Sequence, residues 1–192
     1  SIIKISNFKN LVGREIKYQE EKRLLELSST NEMAKHKLFS GITSDQVSQY
    51  VEDEFRGSSS LLRTGFERFM SSLDNYELYI ISINWSKNFI RDVIGTGLID
   101  SSRIFCNDLI SDAGKYTGEF SNEILTGSDK LNELEHLLTK HLAKDTHQRF
   151  WYIGDSETDL LPILHPKVNG LLLLDPISEG KKFGKLTTKF LG

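Results

Sequence analysis

Two carboxylates, Asp155 and Asp159, close an apolar run in Trp151-Tyr-Ile-Gly-Asp155-Ser-Glu-Thr-Asp159-Leu-Leu. The run predicts a strand that enters a Gly-Asp turn. In open α/β folds, chemistry sits at the carboxyl ends of parallel strands. Two carboxylates held there by a tight loop offer oxygens to a hard cation such as Mg²⁺. The plainer reading is an Asp-rich helix start whose acids are surface charges.

Two upstream elements bear on that choice. Leu78-Tyr-Ile-Ile-Ser82-Ile-Asn-Trp-Ser86 predicts an apolar strand with Ser82 at its C-terminal edge, where a hydroxyl can donate to a phosphate oxygen. A serine that merely ends a buried strand is the alternative. Leu125-Thr-Gly-Ser-Asp-Lys130-Leu-Asn-Glu-Leu places Lys130 in the first turn of a helix that Ser128 can cap. A cation in a first turn opposes the helix dipole. A lysine that neutralises an anion explains the placement; an exposed lysine is the alternative.

Strand-Ser, Gly-Ser-Asp-Lys-helix and strand-Gly-Asp-x-x-x-Asp, in this order, resemble motifs two, three and four of the haloacid dehalogenase (HAD) superfamily, in its phosphoserine-phosphatase-like branch. The resemblance covers nearly the whole chain. It implies a Mg²⁺ ligand at Asp155. It also implies a supporting acid at Asp159, a phosphoryl-binding hydroxyl at Ser82 and a charge-stabilising ammonium at Lys130. The cofactor implied is Mg²⁺, bound weakly or not at all by this chain alone.

The family's first motif, Asp-x-Asp-x-Thr, supplies the nucleophile that forms an aspartyl-phosphate and a general acid and base. No such motif lies upstream of Ser82. The run Ile2-Ile-Lys-Ile-Ser-Asn7-Phe8-Lys9-Asn10 admits a second reading as a decayed copy, with Asn7 and Lys9 in place of the acids. The resemblance instead sets residues 1–18 downstream of that motif, leading into a cap helix.

The 192 residues suit one domain, or a core with a small cap. Net charge is −3, and no basic stripe argues for nucleic acid. Cys106 is the only cysteine, so no intrachain disulfide can form, which fits a reducing, cytoplasmic setting. It lies in an apolar strand and reads as an inert thiol. No apolar run is long enough to span a bilayer, so no membrane partner is expected. His36, His136, His141, His147 and His165 have no metal-ligand spacing and read as surface or loop residues. Trp85 reads as a packing residue before a substrate contact.

Residues 14–38, rich in Glu, Lys and Leu, predict one long helix or two short ones with a solvated charged face. Thr43-Ser-Asp-Gln46 predicts a capping box that opens a helix to about Phe55. Gly57-Ser-Ser-Ser60 is the linker candidate, so residues 1–57 form a helical cap and residues 58–192 the core. A helix over 61–73, a strand over 77–83, a helix over 86–94 and a strand over 103–107 follow. Tyr116-Thr-Gly118-Glu-Phe120 reads as a hairpin turn. An amphipathic helix over 128–143 carries Leu131, Leu134, Leu138 and Leu142 on its apolar stripe. A strand over 150–153, a short helix, a buried strand over 171–174 and a terminal helix complete the series. Alternating strands and helices define an α/β class with a parallel sheet. With the resemblance, the expected fold is a HAD-like Rossmannoid sheet with helices on both faces and a small helical cap. Its central motif-one strand, which the family places between the strands bearing Ser82 and Asp155, is missing from these residues.

Two functions follow. The first is a Mg²⁺-dependent phosphomonoesterase, acting on a small phosphorylated metabolite, whose nucleophile lies outside these residues. The second is a non-catalytic protein that keeps the fold for binding or regulation. Substrate identity and oligomeric state are not specified by any motif.

Overall fold

The computed structural model describes residues 5–55, 61–145 and 147–174, with positions 180, 181, 184 and 188; side chains are described from residue 9. The expected linker at 57–60, most of the expected terminal helix and residues 1–4 lie outside the described residues.

The chain divides into two compact units, Leu27–Leu125 and Ser1–Glu26 with Thr126–Gly192. Helix α1 (Ile5–Lys35) contributes to both. Its helical state over Ile5–Asn10 removes the decayed-motif reading, because Asn7 and Lys9 lie inside a helix and not in a loop at a strand end. Nor is its charged face uniformly solvated. Glu15 and Gln19 are buried, and Lys22 and Arg23 pair with Glu157 and Asp129. Positions 15, 19, 22 and 23 share one face at helical spacing, and that polar stripe docks within its unit.

In the Leu27–Leu125 unit, α2 (Ser44–Phe55) opens with the expected capping box: Thr43 Oγ1 accepts from the Gln46 N–H and Gln46 Oε1 from the Thr43 N–H. The next helix, α3 (Phe66–Ser71), is shorter than the 61–73 expected. Gly65, at φ 90°, holds a left-handed conformation that no helix can run through. Strand β1 (Ile80–Ile81) pairs in parallel with β2 (Ile104–Phe105), and α4 (Lys87–Ile94), capped by Ser86, lies between them in sequence. Both strands are shorter than the sequence predicts, and each has only the other as partner among the described residues. Ile90, Ile99, Ile104 and Cys106 form their core. Strands β3 (Leu109–Asp112) and β4 (Lys115–Phe120) form an antiparallel hairpin. The stretch expected to turn, 116–120, is therefore strand; the turn lies at Ala113-Gly114, both at positive φ. Leu109, Tyr116 and Phe120 are buried against Phe39, Ile42 and Val47.

In the other unit, α5 (Gly127–Leu142) packs on α6 (Leu160–Ile163), and β5 (Trp151–Gly154) pairs in parallel with β6 (Asn169–Leu172). The buried stripe of α5 is Leu134, Leu137, Leu138 and His141. His141 is thus a core residue against the Phe150 ring, not a surface one, because it continues the i, i+3, i+4 series. The 171–174 strand is parallel as expected but not buried. Helix α6 covers only the face bearing Tyr152 and Gly170, where a Cβ on Gly170 would meet the Ile163 carbonyl. On the opposite face Trp151, Ile153, Leu171 and Leu173 are exposed.

Candidate active site

Gly154 ends β5 and Asp155 follows it, so the first acid sits at the carboxyl edge of a parallel strand. The chain then turns through a short 3₁₀ segment, Glu157–Asp159, that folds Asp159 back under the loop. This return needs a glycine: a Cβ on Gly154 would lie 2.3 Å from the Cβ of Asp159. The Ser156-x-x-Asp159 spacing closes a capping box on this turn.

Asp159 is buried and fully engaged. Its Oδ1 accepts from Lys130 Nζ at 2.6 Å and from the Tyr152 hydroxyl at 3.0 Å. Its Oδ2 accepts from the N–H groups of Asp155 and Ser156 and from the Ser156 hydroxyl. Burial opposes ionisation, but the Lys130 charge and the hydrogen bonds from Lys130, Ser156 and Tyr152 outweigh it. The carboxyl is held below the ordinary carboxylate range. Burial, then the Asp159 charge, push the Tyr152 phenol above its usual value, so it remains an O–H donor.

Lys130 occupies the first turn of α5, as predicted, but Thr126 caps this helix in place of Ser128. Thr126 and Asp129 form a reciprocal capping box, and the Asp129 carboxylate brings negative charge to the helix N-terminus. Ser128 lies within the helix, and its Oγ is buried without a hydrogen bond among the described residues. The α5 start is held from a second side by Gln19, whose Oε1 accepts the Gly127 N–H while its Nε2 donates to Glu15. Gly127 is required there, because a Cβ would stand 2.8 Å from the Thr158 carbonyl.

Lys130, Asp155 and Asp159 are therefore brought together in one unit. Ser82 belongs to the other. It follows β1 directly, its N–H donates to the Phe105 carbonyl, and its Oγ accepts the Asn84 N–H at 3.2 Å. Asn84 Oδ1 accepts the N–H groups of Trp85 and Ser86, which fixes the loop after the strand. Trp85 packs with Phe39 and Phe120 in a three-ring cluster. Sequence reasoning missed Tyr152, Ser156, Thr126 and Gln19. The two capping boxes were available as Thr-x-x-Asp and Ser-x-x-Asp; nothing local marks Tyr152 or Gln19.

The donor set bears on the metal. Both oxygens of Asp159 are engaged by donors, and Asp155 is the other acid at this strand end. Among the described residues no three His, Cys, Asp or Glu side chains cluster as a metal site. One carboxylate at a strand end fits an ion that retains most of its waters, as Mg²⁺ does. No described helix is long and apolar enough to cross a membrane.

The chain thus sets Ser82 after one parallel strand, and Lys130 joined to Asp159 beside Asp155 after another. The profile of haloacid dehalogenase-like hydrolases matches residues 23–162, a stretch that contains all four positions, and the chain belongs to that family. Cold tolerance protein 1 of Saccharomyces cerevisiae (strain ATCC 204508 / S288c) is 46% identical over 203 residues, which cover 100% of this chain. The chain spans 64% of that relative's length. Among solved structures, a phospho-aspartyl intermediate analogue of phosphoserine phosphatase aligns with TM-score 0.48 at 19% identity, covering 91% of this chain and 88% of that one. Phosphoserine phosphatase in apo form aligns with TM-score 0.45 at 18% identity, covering 89% and 88%.

Proposed function

We propose that these residues are the phosphoryl-binding part of a Mg²⁺-dependent phosphomonoesterase acting on a small phosphorylated metabolite. The nucleophilic aspartate comes from sequence outside Ser1–Gly192, on the strand that the family places between those bearing Ser82 and Asp155. The observation that carries this reading is the buried Lys130–Asp159 pair beside Asp155. An ion pair taken out of water gives weak net stability, and here its carboxylate also accepts the Asp155 N–H at the strand end.

In this reading the Ser82 hydroxyl donates to a phosphoryl oxygen. Lys130 spends one N–H on Asp159 and directs its remaining donors at the phosphoryl charge and at the incoming nucleophile. Asp159 stays ionised and fixes where Lys130 points. Asp155 holds Mg²⁺, which when bound neutralises the phosphoryl group and orients it for in-line attack. Residues 1–57 act as the cap, closing over the substrate and excluding water.

The test is a p-nitrophenyl phosphate assay with Mg²⁺ on the purified chain, together with calorimetric titration of inorganic phosphate. The chain alone shows no turnover above background, and its weak phosphate binding disappears in Lys130→Ala and Asp155→Asn. Turnover abolished by Asp155→Ala would place the nucleophile within these residues and overturn this reading. Tight stoichiometric Mg²⁺ binding that survives Asp155→Asn would remove the metal assignment.

A second reading keeps the fold without catalysis, in a binding or regulatory role in cold tolerance or stress adaptation. It is favoured by the absence of Asp-x-Asp-x-Thr from these residues and by the name of the 46% identical relative, which describes a tolerance and not a reaction. Phosphate binding without turnover, persisting when the native sequence upstream of Ser1 is included, selects it.

A further inference from the structure

One buried carboxamide lies directly beneath the Ser82 loop. Asn107 follows β2 by two residues and is 1% exposed. Its Nδ2 donates to the Ile83 carbonyl at 3.2 Å and to the Ile124 carbonyl at 2.7 Å, and its Oδ1 accepts the Ile124 N–H at 2.8 Å. These partners fix the orientation of the amide, since two carbonyls need the NH₂ and one N–H needs the oxygen. The neighbouring residue works on the same loop. Asp108 Oδ1 accepts the Lys87 N–H at the start of α4, and its backbone exchanges hydrogen bonds with Ser121. Ser82–Ser86 is thus held at one end by Asn107 through Ile83 and at the other by Asp108 through Lys87.

We propose that Asn107 is a positioning residue for Ser82, setting the direction of the hydroxyl that meets the phosphoryl group. The inference rests on the reading of Ser82 as a phosphoryl-binding residue. Ser82 is tied to the strand behind it through its N–H, which donates to the Phe105 carbonyl. The Ile83–Asn84 peptide is anchored at its carbonyl by the Asn107 side chain, and its N–H donates to Ser82 Oγ at 3.2 Å. A rotation of that peptide moves the N–H that Ser82 Oγ accepts, so the carboxamide controls the aim of the hydroxyl without touching substrate. No other side chain of like size satisfies the site. Aspartate cannot donate to two carbonyls, and leucine leaves all three backbone groups buried and unmet.

The test uses ¹H–¹⁵N NMR on the full chain titrated with inorganic phosphate. In the wild type, phosphate shifts the Ser82 and Asn84 N–H signals and, with the same apparent affinity, the Asn107 side-chain NH₂ pair. Asn107→Asp weakens the Ser82 response by about tenfold, the equivalent of one misdirected hydrogen bond. Val51→Ala, a buried truncation in the same unit, destabilises the fold but leaves the response unchanged. If wild-type Ser82 ignores phosphate, the phosphoryl-binding reading falls and the inference with it. If Ser82 responds and Asn107→Asp responds equally, only the inference falls. Should Asn107→Asp not fold, the wild-type titration still decides: a Ser82 shift without an Asn107 NH₂ shift overturns the proposal.

Discussion

Lys130 Nζ stands 2.6 Å from Asp159 Oδ1, and each side chain is 7% exposed. Neither charge has bulk water to fall back on. Removing one partner leaves the other buried and uncompensated, at a cost of about 3–5 kcal/mol. Lys130→Met and Asp159→Asn should each lower urea-unfolding stability by that order. The double variant should lose clearly less than the sum of the two, because the singles share one interaction.

Acid should act through the same carboxylate. Asp159 has its folded-state pKa depressed, so its contribution is fully present above the unfolded-state value of about 3.9. That contribution is lost as pH falls through the lower folded value. A stability profile from pH 7 downward should stay level as far as this group is concerned, then drop below about pH 4. Asp159→Asn should reduce the drop; an unchanged acid limb would contradict the assignment.

Gly154→Ala tests the fold-back of Asp159. The new Cβ would stand 2.3 Å from the Asp159 Cβ, and the obstacle is a carboxylate held by five donors. Overpacking of this kind costs about 1–3 kcal/mol, occasionally more. Loss of the Tyr152–Asp159 hydrogen bond should accompany it, visible as a change in near-ultraviolet circular dichroism.

Two hydroxyls two residues apart should behave oppositely. Thr126→Ala removes the cap of α5 and should destabilise by about 0.5–2 kcal/mol. Ser128→Ala removes a buried hydroxyl that has no hydrogen bond among the described residues, and should be neutral or stabilising by up to about 1 kcal/mol. Thermal melts of the two variants give the comparison directly.

Cys106 should be silent. It is fully buried, and burial, then the charge of Asp108, push its thiol up to about 12. Reaction with a thiol reagent at neutral pH should follow the rate of unfolding and not the reagent concentration.

Legibility divides along the range of the forces involved. Strand-Ser82 and strand-Asp155 are readable because each is a short apolar run ending in a polar residue, and helix-Lys130 because a cappable Gly-Ser-Asp start precedes an amphipathic run. The capping box at Thr43 was readable for the same reason. The turn at Ala113-Gly114 was displaced onto 116–120 because Gly118 drew the reading, although Gly118 sits within β4. His141 and the Glu15–Gln19 stripe were misjudged as solvated because composition alone does not say which polar face of a helix is docked. The hydrophobicity of the 171–174 run predicts burial, whereas burial depends on what packs against it. Asn107 carried no local mark, since its three partners lie 17 or 24 residues away.

The bare face of β5 and β6 gives the purified chain a thermal habit. Trp151, Ile153, Leu171 and Leu173 are each between 45% and 61% exposed, and Ile153 and Leu171 are register partners. Contact between two such faces is driven by release of ordered water, a force that weakens on cooling. Clouding of a concentrated sample should therefore appear on warming and clear on chilling, well below the unfolding temperature. A charge at position 153, as in Ile153→Lys, should shift the cloud point upward without altering the melt.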